Sequence, residues 1–526
     1  MTAARERVTS VLAIAASAVA MTLYARVTPA WFWLGWIGLV PWLATLDHAG
    51  DWRGAAWRGF AMCAAFTLGL FWWFGAAIEA YAGLPRGSWL AITLLGAPLL
   101  QPQFVVFALA RHLAMRCGRS AAARALVGAG AYVGSEWLIP KLLGDTIGHG
   151  FLPAPAMRQA ADLVGAPGLT VVLLLSNEAT LAGLRAWWSG DRRRALRAAS
   201  VVAGLAVLLL GYGSWRLRAL AAATGAAPPL TVGVVQGGFA DYAGLEKAHG
   251  TFEATRRILN DYFALSQDAL RDGPVQLLVW PETVYPTTFG SPKSADGAAF
   301  DRALASFVSG TGVPLVFGGY DAGEDGREYN AAIVLEPGEN GTGVTFDAYR
   351  KTWLFPLTER VPAVLDTPAI RRRLPWLGTW TPGDGPTSLR LRPKNGATIR
   401  VVPLVCYDAV VPAHTRAAVA EGAELIVTLS NDAWFGRGPG TWLHLAVSVF
   451  RSIEAHRPQL RATTTGISAV IDAGGEIRAA AGPGERRVLV DTVVPVALPA
   501  SVVMRFGDWV SPSLLAVAAL LLVRRR

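Results

Sequence analysis

The sequence predicts two parts: a multi-pass α-helical membrane domain of about eight spans, and an extramembrane α/β layered domain. Three observations carry this. The 526 residues are 52% hydrophobic and only 16% charged, against roughly 25% charged in an ordinary soluble domain, and mean hydropathy is +0.36. The net charge of +10 is not spread evenly: residues 1–220 hold 19 basic and 9 acidic groups, and the remainder holds 29 of each. From about Thr231 the texture changes from long apolar runs to short β-rich runs alternating with helix-like segments. Together these exclude a soluble globular chain, a disordered chain, a collagen and a disulfide scaffold. The three cysteines, Cys63, Cys117 and Cys406, are too few and too scattered for a disulfide framework or a cysteine zinc site.

Seven apolar runs lie near 8–25, 30–46, 57–78, 88–110, 121–140, 163–184 and 198–217. Each is about long enough for a hydrocarbon core of ~30 Å at ~1.5 Å per residue. The first is too long for a signal peptide and is followed at once by further spans, which favours a retained helix. An eighth run, about 508–523, is closed by Arg524, Arg525 and Arg526. Basic residues alternate by loop. One side takes 16, including Arg53, Arg58, Arg111, Arg116, Arg119, Arg124, Arg192, Arg193 and Arg194; the opposite short loops hold four, Arg26, Arg86, Lys141 and Arg158. By the positive-inside rule both termini lie in the cytoplasm and the segment from about 218 to 507 lies outside. Charge that follows topology in this way argues against nucleic acid as a partner. The expected division is a membrane domain over 1–220, an outer domain over 228–500, and a last span with a basic tail over 507–526.

Within the outer domain the probable strands are Leu230–Gln236, Gln276–Trp280, Pro314–Tyr320, Ala331–Glu336, Val344–Tyr349, Ile399–Val405, Leu425–Leu429, Leu460–Thr464, Ser468–Ile471 and Val488–Asp491. The probable helices are Leu245–Leu270, Gly297–Ser309, Ala413–Glu421 and Gly440–Ala455. Strand–helix alternation followed by hairpins predicts α/β layers, in a segment large enough to bury its own core.

Three peptides there could carry chemistry. Cys406 ends an apolar strand and is the outer segment's one thiol; it reads either as a small buried residue or as a nucleophile at a strand end. Glu282, in Trp280-Pro281-Glu282-Thr283, follows another apolar strand; it reads as an exposed turn acid or as a general base. Lys351, in Tyr349-Arg350-Lys351, leads into an aromatic-rich segment; it reads as a solvated loop lysine or as a cation set against a developing oxyanion. Elsewhere, Glu178 sits inside the sixth span and reads first as a structural partner of a neighbouring helix. Cys63 and Cys117 read as packing residues.

Glu, Lys and Cys in this chain order, with these flanks, resemble the nitrilase superfamily. With seven preceding spans and one following, the chain resembles the bacterial apolipoprotein N-acyltransferase family over nearly its whole length. Further matching stretches are Ser135-Glu136-Trp137-Leu138, Gln159 to Gly165, Val234-Val235-Gln236-Gly237, His444, the Arg451–Glu454 helix and Arg461-Ala462-Thr463. The most specific is Ser430-Asn431-Asp432-Ala433-Trp434-Phe435-Gly436. There are departures: Asp408 stands after Cys406-Tyr407 where the family usually has Glu. Pro356-Leu357-Thr358-Glu359 replaces Pro-Phe-Gly-Glu, Thr463-Thr464-Thr465-Gly466 replaces Thr-Asn-Asn-Gly, and Gly150-Phe151-Leu152-Pro153 only partly matches a Gly-Phe-Pro-Trp stretch.

The resemblance implies an αββα sandwich for the outer domain. It implies catalysis by Glu282, Lys351 and Cys406, with support from Glu359, Tyr407, Asp408, Asn431 and Trp434. It implies transfer of an acyl chain from a phospholipid, phosphatidylethanolamine first, to the α-amine of a diacylglyceryl-cysteine through a Cys406 thioester. It requires no metal and no organic cofactor, and nothing beyond a monomer in a bacterial inner membrane. Trp353, Phe355, Trp376 and Trp380, with Leu354 and Leu377, read either as a lipid-dipping arm or as a core cluster under a long loop. Restoring Glu at position 408 is expected to keep or raise turnover. Two alternatives stand beside this reading: a membrane-anchored amidase of the nitrilase type, and a lipid-binding scaffold with a decayed site.

Overall fold

Backbone groups in lipid must be satisfied within the chain, so apolar runs of this length form helices. A computed structural model describes residues 3–139, 141–239, 242–324, 326–338, 343–436 and 438–523; the expected closing triplet Arg524–Arg526 lies outside the described residues. The chain divides into two units, Met1–Arg218 with Arg505–Arg526, and Ala219–Met504.

In the first unit five helical segments are long and apolar enough to span a membrane: Arg5–Tyr24, Pro29–Leu46, Trp52–Tyr81, Met157–Trp188 and Arg192–Thr224. The expected span at 88–110 is instead a bent pair, Ser88–Leu100 and Gln103–Arg116, meeting at 50° and adding a sixth if counted as one. Pro102 at the break supplies no N–H to the helical ladder, and Gln103 donates to Gln101 beside it, both side chains buried. The remaining two expected spans are the Ala121–Leu138 helix, which falls short in apolarity, and the Val510–Val523 helix, which has only 14 residues. These two pack on one another through small residues. A Cβ on Gly134 would meet Leu515 Cδ1 at 2.8 Å, and one on Gly130 would strike the Leu514 carbonyl. Glu178 is structural: both its oxygens accept from Arg111, at 2.5 and 3.1 Å, and Arg111 also reaches Asp47 at 2.7 Å. Cys63 is buried, its thiol donating to the Ala97 carbonyl at 3.2 Å, whereas Cys117 is exposed, so packing accounts for the first only.

The second unit holds twelve strands among the described residues. They are β1 Leu230–Gln236, β2 Leu277–Val279, β3 Leu315–Ala322, β4 Glu328–Pro337, β5 Val344–Arg350, β6 Leu389–Leu391, β7 Ile399–Val405, β8 Leu425–Ser430, β9 Gln459–Thr463, β10 Ser468–Ile471, β11 Ile477–Ala481 and β12 Arg487–Val493. One sheet runs β12-β1-β2-β3-β4-β5, the other β11-β10-β9-β8-β7-β6. Each is built alike: three parallel strands at its heart, β1-β2-β3 or β7-β8-β9, with antiparallel strands on both flanks.

The burial pattern explains the layering. Val232, Val234, Leu277 and Val279 of one sheet share a core with Val401, Val405, Leu425 and Val427 of the other. The alternate faces turn outward against helices: Leu278, Leu315 and Phe317 onto Ile258, Leu265, Leu304 and Val308, and Val402, Leu404 and Ile426 onto Ala418 and Ala455. Strands buried on both faces read as near-continuous apolar runs, and the result is an αββα sandwich. The helices beneath are Thr251–Asp272, Ala295–Thr311, Pro412–Val419 and Gly440–Ala455.

Candidate active site

The three candidate residues each follow the carboxyl end of a strand: Glu282 after β2, Lys351 after β5 and Cys406 after β7. Both turns that bear the acid and the thiol are strained. Cys406 itself has φ +49°, and Thr283, next to Glu282, has φ +60°; left-handed backbone at a non-glycine costs roughly 1–2 kcal/mol. The Glu282 turn lies so close to β3 that a Cβ on Gly318 would strike Glu282 Cα and the Pro281 carbonyl. Gly318 donates its N–H to that carbonyl at 3.0 Å, and only glycine fits there.

The structure brings Glu282 and Lys351 into direct contact, both almost fully buried. Lys351 Nζ donates to Glu282 Oε1 at 3.1 Å and to Glu359 Oε1 at 2.7 Å. Glu282 Oε2 accepts the backbone N–H of Asn431, which follows β8 of the opposite sheet, at 2.7 Å. Glu359 Oε2 accepts the Phe355 N–H at 2.6 Å, folding the segment after Lys351 back on the site. Burial pulls the Lys351 ammonium down, but Glu282 and Glu359 outweigh it and hold the group well above its ordinary value. Burial pushes the Cys406 thiol up; Glu282 adds to this, and Lys351 opposes it. Glu282, Lys351 and Glu359 thus all act on Cys406 through their charges. Burial and Glu282 together favour the protonated thiol.

The other candidates divide. Asn431 holds Glu282 through its backbone, while its side-chain oxygen accepts from Thr464 Oγ1 at 2.8 Å. Tyr407 and Trp434 both meet Phe355 edge-on, at ring-centroid distances of 5.1 and 4.7 Å, an aromatic wall beside Cys406. Burial lifts the Tyr407 hydroxyl to about 12. Asp408 is fully buried and points away from open space: Oδ1 accepts from the Trp353 N–H at 2.8 Å, and Oδ2 from the Val405 N–H at 3.0 Å and the Tyr349 hydroxyl at 2.9 Å. Burial raises its pKa to about 6 against the pull of these donors and of Lys351.

The long segment between Lys351 and Gly383 is partly packed and partly exposed, so its apolar side chains do not form a core cluster alone. It is closed at its base by Gly378 N–H to Leu357 O, Trp380 N–H to Glu359 O and Gly383 N–H to Lys351 O, all within 2.8–3.0 Å. Leu354, Phe355 and Leu377 are buried, and Trp380 packs on Tyr320 at 4.6 Å. Trp376 is half-buried, and Trp353 is 46% exposed. The most open apolar residue of the segment is one the sequence did not single out, Val364 at 86%; Leu365 and Leu374 are exposed as well.

Asn330 is a further residue missed from sequence. Its side-chain amide donates to Glu282 Oε1 at 2.8 Å and reaches Glu359 Oε1 at 3.4 Å. Its only signal was a polar residue opening the apolar run of β4. Beneath the site, Asp432 accepts from Arg461 at 2.8 Å and from Ser430 at 2.6 Å, and its Oδ1 lies 3.1 Å from His444 Nδ1. Burial would raise the Asp432 pKa, yet Arg461 and His444 depress it. Among the described residues no group of His, Cys, Asp and Glu could hold a metal ion.

Two family profiles match the chain: the apolipoprotein N-acyltransferase N-terminal domain over residues 17–179, and the carbon-nitrogen hydrolase domain over residues 232–498. The apolipoprotein N-acyltransferase of Caulobacter vibrioides is 30% identical over 514 residues, 94% of this chain and 90% of that protein. The chain belongs to the apolipoprotein N-acyltransferase family. The Geobacter metallireducens member is 28% identical over 504 residues, 94% of this chain and 91% of its own. Among solved structures, a carbon-nitrogen hydrolase from Helicobacter pylori G27 aligns at 18% identity over 56% of this chain and 95% of that one, with a TM-score of 0.36. Membership makes the second unit a nitrilase-type domain and the first the helical part that accompanies it in this family.

Proposed function

We propose that Glu282, Lys351 and Cys406 are the catalytic residues of this acyltransferase. As a family member, the chain carries out the final N-acylation in lipoprotein maturation, with a membrane phospholipid as donor and a lipoprotein as acceptor. In our reading phosphatidylethanolamine is the preferred donor, and the enzyme works as a monomer. It lies in the inner membrane with both termini cytoplasmic and the nitrilase-type unit in the periplasm.

The reaction runs in two halves. Glu282 takes the thiol proton of Cys406, and the thiolate attacks an ester carbonyl of the phospholipid. Lys351 and a backbone N–H near Tyr407 stabilise the tetrahedral oxyanion. The C–O bond breaks, the lysophospholipid oxygen takes the proton from Glu282, and an acyl-thioester remains. The free α-amine of the diacylglyceryl-cysteine then attacks the thioester and loses a proton to Glu282. The C–S bond breaks, and the proton returns to Cys406. A thioester stores enough energy to acylate an amine without ATP, and substrates that cannot leave the bilayer explain why the enzyme is a membrane protein.

The observation that carries this reading is the buried Glu282–Lys351–Glu359 cluster, whose charges all bear on Cys406. Family membership leaves the amidase and scaffold alternatives without support. The test is to incubate purified protein with acyl-labelled phosphatidylethanolamine and no acceptor. A hydroxylamine-sensitive adduct is expected on the wild type and none on Cys406→Ala; an adduct persisting in that variant would move the nucleophile elsewhere.

A further inference from the structure

Two loops must keep a fixed distance for the proposed chemistry: the one that starts at Lys351 and the turn that carries Cys406. They follow strands of opposite sheets, and one buried side chain hydrogen-bonds to both. Asp408 accepts the N–H of Trp353, two residues past Lys351, on one oxygen; on the other it accepts the N–H of Val405, immediately before Cys406. That second oxygen also takes the Tyr349 hydroxyl at 2.9 Å. Tyr349 is in β5 two residues before Lys351, so by strand alternation the two side chains leave the same face. Its ring lies in the core between the sheets. On its far side the same hydroxyl lies 2.9 Å from His414 Nε2, on the Pro412–Val419 helix.

The hydrogens in this chain are determined by elimination. Asp408 as a carboxylate only accepts, so the Tyr349 hydroxyl donates to it, and its lone pairs are left for His414 and for Thr352 Oγ1, 3.3 Å away. His414 must then carry its proton on Nε2. Its Nδ1 is buried without a hydrogen-bond partner, which suits a bare lone pair better than an orphan N–H. Burial lowers the His414 pKa to about 4, so the ring is neutral, and burial with Asp408 alongside keeps the Tyr349 proton in place. The result is a directed chain, His414 to Tyr349 to Asp408 to two backbone amides, running from the outer helix layer through the interface of the sheets to the candidate nucleophile's turn.

We propose that Tyr349, held by His414, is a positioning residue for the acyl transfer: it fixes Asp408 as a strut that sets the Lys351 loop against the strained Cys406 turn. This rests on the reading of Glu282, Lys351 and Cys406 as catalytic. It also reverses one expectation from sequence. Asp408 is enclosed, with both oxygens engaged, so a Glu at this position, one methylene longer, is expected to shift one loop against the other.

The experiment compares Tyr349→Phe, His414→Leu, His414→Gln, Asp408→Glu and the Tyr349→Phe/His414→Leu double variant in full-length protein. Turnover is expressed per Cys406 that forms the acyl adduct. Tyr349→Phe keeps the ring and deletes one donor to a charged acceptor, so kcat is expected to fall ~10–100-fold with KM for phospholipid unchanged. An interaction felt in the transition state lowers kcat and kcat/KM together. His414→Leu is expected to lose a similar factor. His414→Gln, whose amide can still donate, recovers most of that loss, and the double variant loses no more than Tyr349→Phe alone. Asp408→Glu is expected to lose at least as much as Tyr349→Phe.

If Tyr349→Phe lowers only the unfolding temperature, with kcat per labelled site unchanged, Tyr349 is a packing residue and the proposal fails. Multiplicative losses in the double variant would break the link to His414. Adduct formation on Cys406→Ala, by contrast, would overturn the catalytic assignment itself, a separate outcome.

Discussion

The state of the Cys406 thiol follows from its neighbours. A thiolate placed in a dry site beside a carboxylate is penalised twice, by lost solvation and by repulsion, and Lys351 offsets only part of this. This fits the proposed mechanism, in which the thiol hands its proton to Glu282 as it attacks rather than resting as a thiolate. Replacing Glu282 separates the two effects. Glu282→Gln is expected to lose ~100-fold or more of acyl transfer, the usual worth of a general base. It should nevertheless raise the rate at which iodoacetamide alkylates Cys406 in mildly alkaline buffer, because the charge that lifts the thiol is gone. Peptide mapping reads Cys406 against the exposed Cys117 as an internal standard. Slower alkylation in the variant would show that Glu282 activates the ground state instead. The acid, the lysine and the thiol could be singled out in sequence only as a set in chain order, since each peptide alone reads equally as a turn acid, a loop lysine or a small buried thiol. Asn330 could not be, since one polar residue at the head of an apolar strand is indistinguishable from a solvated strand end. The role of Asp408 was hidden as well, because no sequence pattern says that Tyr349, 59 residues away, supplies its donor.

At the level of elements, strands buried on both faces were the easiest to read. The two strands missed, β6 and β11, are the edge strands of one sheet. β6 is only Leu-Arg-Leu, and β11 ends in three alanines, so neither carries the β-branched run that marks a central strand. The bend at Gln101-Pro102 escaped for a related reason: the apolar run continues past a break that only backbone chemistry reveals. One link between elements makes a prediction. Asp432, just past β8, is wholly buried and paired with Arg461 of β9, also wholly buried. Removing one partner of such a pair costs about 3–5 kcal/mol, so Arg461→Met should lower the unfolding midpoint in detergent substantially. The pH dependence has a definite sign. In the wild type the Asp432 pKa is depressed, so the pair's contribution is fully present above the unfolded carboxylate value, about 3.9, and is lost as pH falls through the lower folded value. In the variant the carboxyl keeps Ser430 and His444 but loses its buried cation, so its pKa is expected to rise and part of the penalty to be relieved by protonation. The gap between wild type and variant should therefore be wide at neutral pH and narrow in mild acid. A gap independent of pH would mean that lost packing, not the charge, sets the cost.

At the scale of the whole chain, the excess of +10 predicts an orientation in the membrane rather than a basic binding face. Residues 221–523 carry 26 basic and 29 acidic groups, and the arginine-rich loops lie among the apolar helices. Arginine and lysine in short loops resist translocation, so loops that hold them stay on the cytoplasmic side. The loop at 117–120, between the Gln103–Arg116 and Ala121–Leu138 helices, carries Arg119 and the exposed Cys117 and is flanked by Arg111, Arg116 and Arg124. That native thiol is a ready reporter. In spheroplasts a membrane-impermeant maleimide should leave Cys117 unlabelled until the cells are lysed. A thiol introduced by Ala248→Cys, at an exposed position of the second unit, should label at once. Cys63 and Cys406 are buried and contribute little in either case. Labelling of Cys117 in intact spheroplasts, or protection of the introduced thiol, would invert the orientation. It would place the nitrilase-type unit in the cytoplasm and the basic loops outside, against the charge rule on which the expected orientation rests.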